Sequence, residues 1–300
     1  MAFVGMTATH DMVEIQHVQD ALTASYSPQT SNDDRQTSLK YLTDLKSRPE
    51  APKYGFTIAS DLGQQPFARH FGLSLLETAI RYRWNEHDAD EATTLRQWVI
   101  QLAQDIRPQD PPYFRNKVAS LWAEIAKREW AASWMNMDEL LVALWEVPDG
   151  DKLMVNRMLV LHVLETLSVD ICIREETVAM LRQEELGRSL NEIMIPPGIL
   201  QAHLEDRGTA QEVRCPGDGW LAKLCTFLSS LAGAFTKADP TISTAAIMTL
   251  EALKPTVTWI RLNALLEPGC VECLFQTLAY GDTHVQRVSM PPLLPSILHG

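Results

Sequence analysis

An all-α chain of stacked antiparallel helix pairs is the fold class that this sequence predicts. Three observations carry the prediction. Apolar residues recur at helical spacing along nearly the whole chain, and no run of alternating residues competes with them. The helical stretches are separated by short breaks bearing Pro and Gly. One stretch also recurs, in pattern and in part in sequence, 46 positions further on.

The expected helices run from Met12 to Ser25, Asp33 to Ser47, Lys53 to Leu62, Pro66 to Trp84, Ala89 to Ile106 and Pro112 to Trp130. They continue from Met137 to Trp145, Lys152 to Ile173, Glu175 to Met194, Trp220 to Phe235, Ser243 to Leu266 and Cys270 to Ala279. "SRPEAPK" separates the second from the third, "RPQDPPY" the fifth from the sixth, and "VPDGD" the seventh from the eighth. "IPPG" ends the ninth, while "CPGDG" and "ADP" precede the tenth and eleventh. In each break Pro or Gly stops one helix and a nearby Asp or Ser can cap the next. Pro255, inside the eleventh helix, is expected to kink it or split it in two.

The repeat pairs "PFARHFGLSLLETAIRYRW" (Pro66 to Trp84) with "PYFRNKVASLWAEIAKREW" (Pro112 to Trp130). Identities fall at Pro66/Pro112, Arg69/Arg115, Ser74/Ser120, Leu75/Leu121 and Trp84/Trp130. Each copy opens on proline at the first helical position and closes on tryptophan. A helix pair every ~40–47 residues is the HEAT or armadillo period. In the first copy Phe67, Phe71, Leu75 and Ala79 form one seam, and Ala68, Gly72, Leu76, Ile80 and Trp84 a second beside it. A face that wide can be buried on two sides, against the repeat partner and against the next repeat. The remaining strip is His70, Ser74, Glu77 and Arg81, answered in the second copy by Asn116, Ser120, Ala123 and Lys127. It should face solvent or a partner. Trp84, Trp130 and Trp134 are expected in the core between helices; the i, i+4 spacing of the last two serves packing better than a ligand box.

Composition bounds the function. The net charge is -12, with 26 Lys and Arg against 38 Asp and Glu, and no basic run gathers that could track a phosphate backbone. The first residues show neither a signal peptide nor an Arg-rich presequence, so residence in the cytosol or nucleus is the expectation. The most apolar window, Leu153 to Ile173, is interrupted by Arg157, Glu165 and Asp170, and membrane insertion is not expected. "CVEC" (Cys270 to Cys273) has no second ligand pair at zinc spacing and is taken as structural, so no metal is expected. Phosphate-loop, HExxH and GxSxG motifs are absent, and His70 and His162 are better read as satisfied helix residues than as general bases. No catalytic residues are expected, and the chain is not read as an enzyme.

"RHFGLSLLETAIRYRWN" (Arg69 to Asn85), "AEIAKREWAASW" (Ala123 to Trp134) and "TLEALKPTVTWIRLNALLE" (Thr249 to Glu267) resemble, in that order, the amino-terminal region of the importin-β superfamily of nuclear transport receptors. The likeness is strongest to the exportin-5 branch and runs from about residue 10 to about residue 288. The family usually has proline after the Glu-Trp pair and often after the second tryptophan, where this chain has Ala131 and Met135. The resemblance implies a HEAT-repeat region over residues 1–288 with its Ran-binding part at about 10–145, followed by an irregular Pro-rich tail, 289–300.

It further implies a receptor that binds Ran-GTP through the inner helices of its first repeats, carries cargo through the nuclear pore in contact with nuclear pore proteins, and shuttles between nucleus and cytoplasm. No cofactor is expected, since the GTP is carried by Ran. On that view His70, Ser74, Glu77, Arg81, Asn116, Ser120 and Lys127 are the candidate Ran contacts. Cargo in this branch includes structured RNA and phosphorylated protein, and the resemblance does not choose between them. A HEAT-type interaction scaffold without Ran binding would show the same periodicity. At the end of the chain, Pro291, Pro292 and Pro295 lead to the expectation that 289–300 form no regular helix and that the helix from Cys270 keeps an uncovered apolar face.

Overall fold

The computed structural model describes residues 8–174, 176–206, 219–232, 239–260, 262–266, 269–280 and 285. Among them every regular element is helical, and the only bridge of β type is an isolated one between Trp130 and Trp134. The helices are α1 (Ala8–Tyr26), α2 (Asn32–Leu45), α3 (Ala51–Ser60), α4 (Pro66–Glu77), α5 (Ala89–Gln104), α6 (Pro112–Glu129), α7 (Met137–Trp145) and α8 (Gly150–Cys172). They continue with α9 (Thr177–Met180), α10 (Gln183–Met194), α11 (Pro197–Asp206), α12 (Gly219–Ala232), α13 (Pro240–Trp259), α14 (Leu262–Leu266) and α15 (Cys270–Tyr280). Two compact units divide the chain, 1–125 and 126–300, with the boundary inside α6.

Local sequence fixes many of the helix ends. Ser31 caps α2 by accepting the amide of Asp34, and Asp88 with Glu91 forms a reciprocal capping box at α5. Proline opens α4 and α13 in their first turns, where its missing donor costs nothing.

In the first unit, α3 and α4 form an antiparallel pair whose backbones meet at two glycines. A Cβ on Gly72 would lie 2.6 Å from the Gly55 carbonyl oxygen and 2.9 Å from the Ala59 amide nitrogen. Four residues along α3, the carbonyl of Ala59 accepts the Arg69 Nε–H at 2.9 Å, so the contact order runs backwards along α4, as an antiparallel pair requires. Val18 and Leu22 of α1 and Leu42 and Leu45 of α2 form one buried cluster with Tyr54 and Ile58 of α3. The stack continues in two layers. Phe56 of α3 lies face to face with Trp98 of α5, ring centres 5.0 Å apart. In the other layer α4 runs beside α6 in the same direction: His70 meets Tyr113, Glu77 meets Lys117, and Arg81 meets Glu124. The two repeat helices are therefore neighbours and parallel, as stacking of equivalent units requires.

In the second unit, α8 lies along α13, and α12 sits between α13 and α15. Trp145, at the end of α7, is packed edge-on by Trp220 and Phe227 of α12. The Arg157 guanidinium covers both Trp145 and Phe227 at 5.1 and 4.9 Å, and its Nε–H donates to the Trp145 carbonyl at 3.3 Å. Burial lowers the affinity of that guanidinium for its proton, and the charge of Glu146 opposes the shift.

Four expectations change. The helix expected from Pro66 to Trp84 is α-helical only to Glu77; Thr78–Tyr82 form a π turn and Trp84–Glu86 a 3-10 turn. The stretch from Glu175 to Met194 is not one helix but α9 followed by α10. After "IPPG" a helix absent from the expectation appears, because Pro197 starts α11. The helix expected from Ser243 to Leu266 is two, α13 and α14, but the break falls where the chain turns extended at Ile260 and not at Pro255, which lies inside α13. The expectations for 289–300 lie outside the described residues, while Leu262, Leu266 and Phe275 of α14 and α15 are exposed.

The glycine contact gives a paired prediction. Gly72→Ala should destabilise by ~1–3 kcal/mol through overpacking against α3. Gly187→Ala, at a helical position in α10 with nothing within 4 Å of the added Cβ, should stabilise by ~0.5–1 kcal/mol. Urea midpoints of the two variants should move in opposite directions.

Candidate functional site

The polar strip between α4 and α6 is a self-paired network. Glu77 sits at its centre. One carboxylate oxygen pairs with Lys117 Nζ, and the other accepts from Arg81 at 3.3 Å. Arg81 in turn places its Nε 3.2 Å from Glu124. Two carboxylates and two cations thus alternate along the groove between parallel helices, and their charges cancel. Arg81 is the outermost member, its side chain 45% exposed, and Glu124 the innermost at 9%.

The strip's neutral members point inward to their own helices. Ser74 donates to the His70 carbonyl at 3.2 Å, and Ser120, 46 positions on, makes the same bond to the Asn116 carbonyl at 2.9 Å. Asn116 Oδ1 accepts from the Arg115 guanidinium at 3.3 Å. His70 is half-buried and meets the Tyr113 ring edge-on, with ring centres 5.2 Å apart. Desolvation, with the nearby Lys117 ammonium adding to it, lowers the pKa of its imidazole below the ordinary histidine value. At neutral pH it presents an uncharged ring.

Six of the eight expected strip residues lie along the α4 and α6 helices and the π turn at least partly accessible, but Ala123 is fully buried and so is Lys127. The Lys127 side chain is 1% exposed, with Nζ 2.8 Å from Asp170 and 3.5 Å from Glu176. The 46-residue equivalence of Arg81 and Lys127 fails because the π turn intervenes only in the first copy. Its i→i+5 bonds shift every later residue relative to the α register, so Arg81 swings out where Lys127 stays in. Trp84 falls beyond the same turn and is half-buried rather than core, whereas Trp130 and Trp134 are fully packed. Two members of the network, Lys117 and Glu124, are missing from the sequence expectation. The repeat alignment sets them opposite Phe71 and Thr78, so no positional signal pointed to them.

The two tryptophans flank a tight loop at the end of α6. The Glu129 carbonyl receives the amides of Ala132, Ser133 and Trp134, each at 3.0 Å, and Ala131 has φ +60°. Proline cannot adopt that angle, so the loop differs in kind from one with proline after the Glu-Trp pair. Arg182 closes it from the other side, donating to the carbonyls of Lys127 at 3.4 Å and Trp130 at 2.6 Å while pairing with Glu185.

His162 faces Glu165 at 3.5 Å on the same helix. Among the described residues no group of three or more His, Cys, Asp or Glu side chains could hold a metal ion, and no helix is long and apolar enough to cross a membrane.

Two family matches cover most of the chain. Residues 39–121 match the importin-beta N-terminal domain, and residues 111–289 match the family described as Exportin 1-like protein. Protein MSN5 of Saccharomyces cerevisiae is 24% identical over 294 residues, which is 93% of this chain and 23% of that protein. Exportin-5 of Mus musculus is 24% identical over 256 residues, 83% of this chain and 19% of its own length. Exportin-5 of Dictyostelium discoideum is 24% identical over 135 residues, covering 45% of this chain and 12% of that protein. The chain thus spans less than a quarter of the length of these relatives.

Two stability predictions follow from the buried groups. Lys127→Ala should cost ~3–5 kcal/mol by leaving Asp170 without its cation, whereas Arg81→Ala, which removes a half-exposed guanidinium from the buried Glu124, should cost less, ~1–2 kcal/mol. Ala131→Gly should raise stability by up to ~1 kcal/mol by relieving the left-handed backbone, and Ala131→Pro should lower it. Thermal or urea unfolding of the four variants checks both.

Proposed function

Because the chain belongs to the exportin 1-like family of the importin-β superfamily, we propose that it is the amino-terminal part of a nuclear export receptor that binds Ran in its GTP state and carries cargo through the nuclear pore. One observation carries the Ran assignment. The importin-beta N-terminal domain match, 39–121, covers α3 to α5, the π turn and the first half of α6, the elements that carry Glu77, Arg81 and Lys117. We take the Ran-binding part to span about 10–145. The GTP belongs to Ran, and this chain supplies a surface rather than a catalytic site.

The chemistry of that surface suits a selective contact. Arg81 offers an exposed guanidinium fork already oriented by two carboxylates. A partner carboxylate at Arg81, or a partner cation at Glu77, would exchange one ion pair for another, so affinity would come from geometry more than from added charge. His70 and Tyr113 supply a neutral aromatic edge next to it. Cargo is either protein or structured RNA. The net charge of -12 weighs against phosphate-backbone contact over this segment.

The test is binding of the full chain to Ran loaded with a non-hydrolysable GTP analogue against Ran loaded with GDP. Preference for the GTP state is expected. Equal binding to both, or none, would instead favour a HEAT-type scaffold with no Ran role. Arg81→Glu should weaken the GTP-state complex about tenfold or more, with a loss that shrinks as salt rises. Its circular dichroism should be unchanged, in contrast to Lys127→Glu, which should lose its fold.

A further inference from the structure

Three thiols meet inside the second unit. Cys225 of α12 and Cys270 and Cys273 of α15 are all buried, and none is bonded covalently. Cys225 Sγ lies 2.7 Å from Cys270 Sγ, inside the roughly 3.5–4.0 Å at which non-bonded heavy atoms rest. Cys273, one helical turn along α15, donates its thiol to the Cys270 carbonyl at 3.1 Å. The two sulfurs that approach each other come from different helices, 45 positions apart in sequence. Packing needs no such approach, since a buried cysteine otherwise behaves as a small apolar side chain.

We propose that Cys225 and Cys270 form a reversible disulfide that fastens α12 to α15, a thiol switch set by the surrounding redox poise. The oxidant is a low-molecular-weight disulfide such as glutathione disulfide. One cysteine of the pair, as thiolate, attacks a glutathione sulfur; the S–S bond of glutathione disulfide breaks and one glutathione leaves with the proton. The second cysteine then attacks the protein sulfur of the mixed disulfide. The protein S–S bond forms, the mixed disulfide breaks, and the second glutathione leaves protonated. The protein loses two electrons and two protons, which the two glutathione molecules carry away.

The surroundings set how the switch would respond. Thiol contacts with Cys270 and Cys273, followed by burial, push the Cys225 thiol well up from its ordinary value. In the closed fold it is held protonated and slow toward electrophiles, so exchange follows opening of α15 and the state reached is an equilibrium one. Once made, the bond would close a loop holding α13 and α14, and would stabilise the unit against unfolding.

The test uses the full chain carrying Cys172→Ser and Cys215→Ser, equilibrated in glutathione buffers from reducing to oxidising and then quenched by alkylation. Trypsin with a Glu-specific protease cuts after Glu272 and separates Cys270 from Cys273, so mass spectrometry identifies the partners. A Cys225–Cys270 cross-link should dominate in oxidising buffer, vanish with dithiothreitol, and raise the unfolding midpoint by about 5–10 °C. Cys270→Ser should abolish the cross-link and the rise, and Cys273→Ser should keep both. The proposal is overturned by absence of the cross-link in the most oxidising buffer, by dominance of Cys270–Cys273 or scrambled pairs, or by a cross-link that lowers the midpoint. The parent chain alone decides the matter if a serine variant fails to fold. The result is independent of Ran binding.

Discussion

A single guanidinium joins four elements of the first unit. Arg69, 3% exposed, donates from α4 to the Ala59 carbonyl at the end of α3 and pairs with Asp110 in the loop before α6. Its plane covers the Phe114 ring of α6 at 4.1 Å. Asp110 is fixed in turn by the Arg107 amide at 2.9 Å. A cation this deeply buried is tolerable only with its partners in place, so the loop "RPQDPP" must close in one way for α6 to dock. The parallel setting of α4 and α6 follows, and with it the line along which Glu77, Lys117, Arg81 and Glu124 alternate.

The α3–α4 crossing adds a second constraint from below. Gly55 and Gly72 let the backbones touch, which brings Ala59 within reach of Arg69. A side chain at either glycine would separate the helices and leave the guanidinium without its carbonyl. Steric fit and a buried polar contact therefore specify the same pairing, and agreement of that kind between independent interactions gives a unique packing.

Much of this was legible in the sequence because it is local. Prolines at first turns, capping Asp and Ser, and seams at i, i+4 are written into adjacent residues, and they yielded the helix pairs, the repeat and the neighbouring helices. What escaped depends on residues remote from the position concerned. Nothing near Lys127 announces Asp170 or Glu176, yet these decide that it is core rather than surface. The π turn at Thr78–Tyr82 has no composition of its own, and it displaces Arg81 and Trp84 from the positions their repeat counterparts hold. Lys117 and Glu124 became part of the strip only through cross-helix pairing with residues on and just beyond α4.

The π turn also gives the strip its asymmetry. Had α4 continued in α register, Arg81 would share the face that Lys127 uses and would need a buried carboxylate of its own. The wider turn frees the guanidinium from that face while Thr78 Oγ1 donates back to the Ser74 carbonyl at 3.0 Å and keeps the preceding turn closed. Arg83, immediately after, donates to the Lys46 and Arg48 carbonyls at 3.5 and 3.3 Å and pairs with Glu86, which anchors the far side of the distortion. The irregularity is thus held at both ends, and between them it presents one oriented cation, with Tyr82 beside it 73% exposed. On the transport reading, these two residues form the part of the strip most able to contact a partner, because both side chains are exposed and Arg81 can turn outward at the expense of its pairs with Glu77 and Glu124 alone.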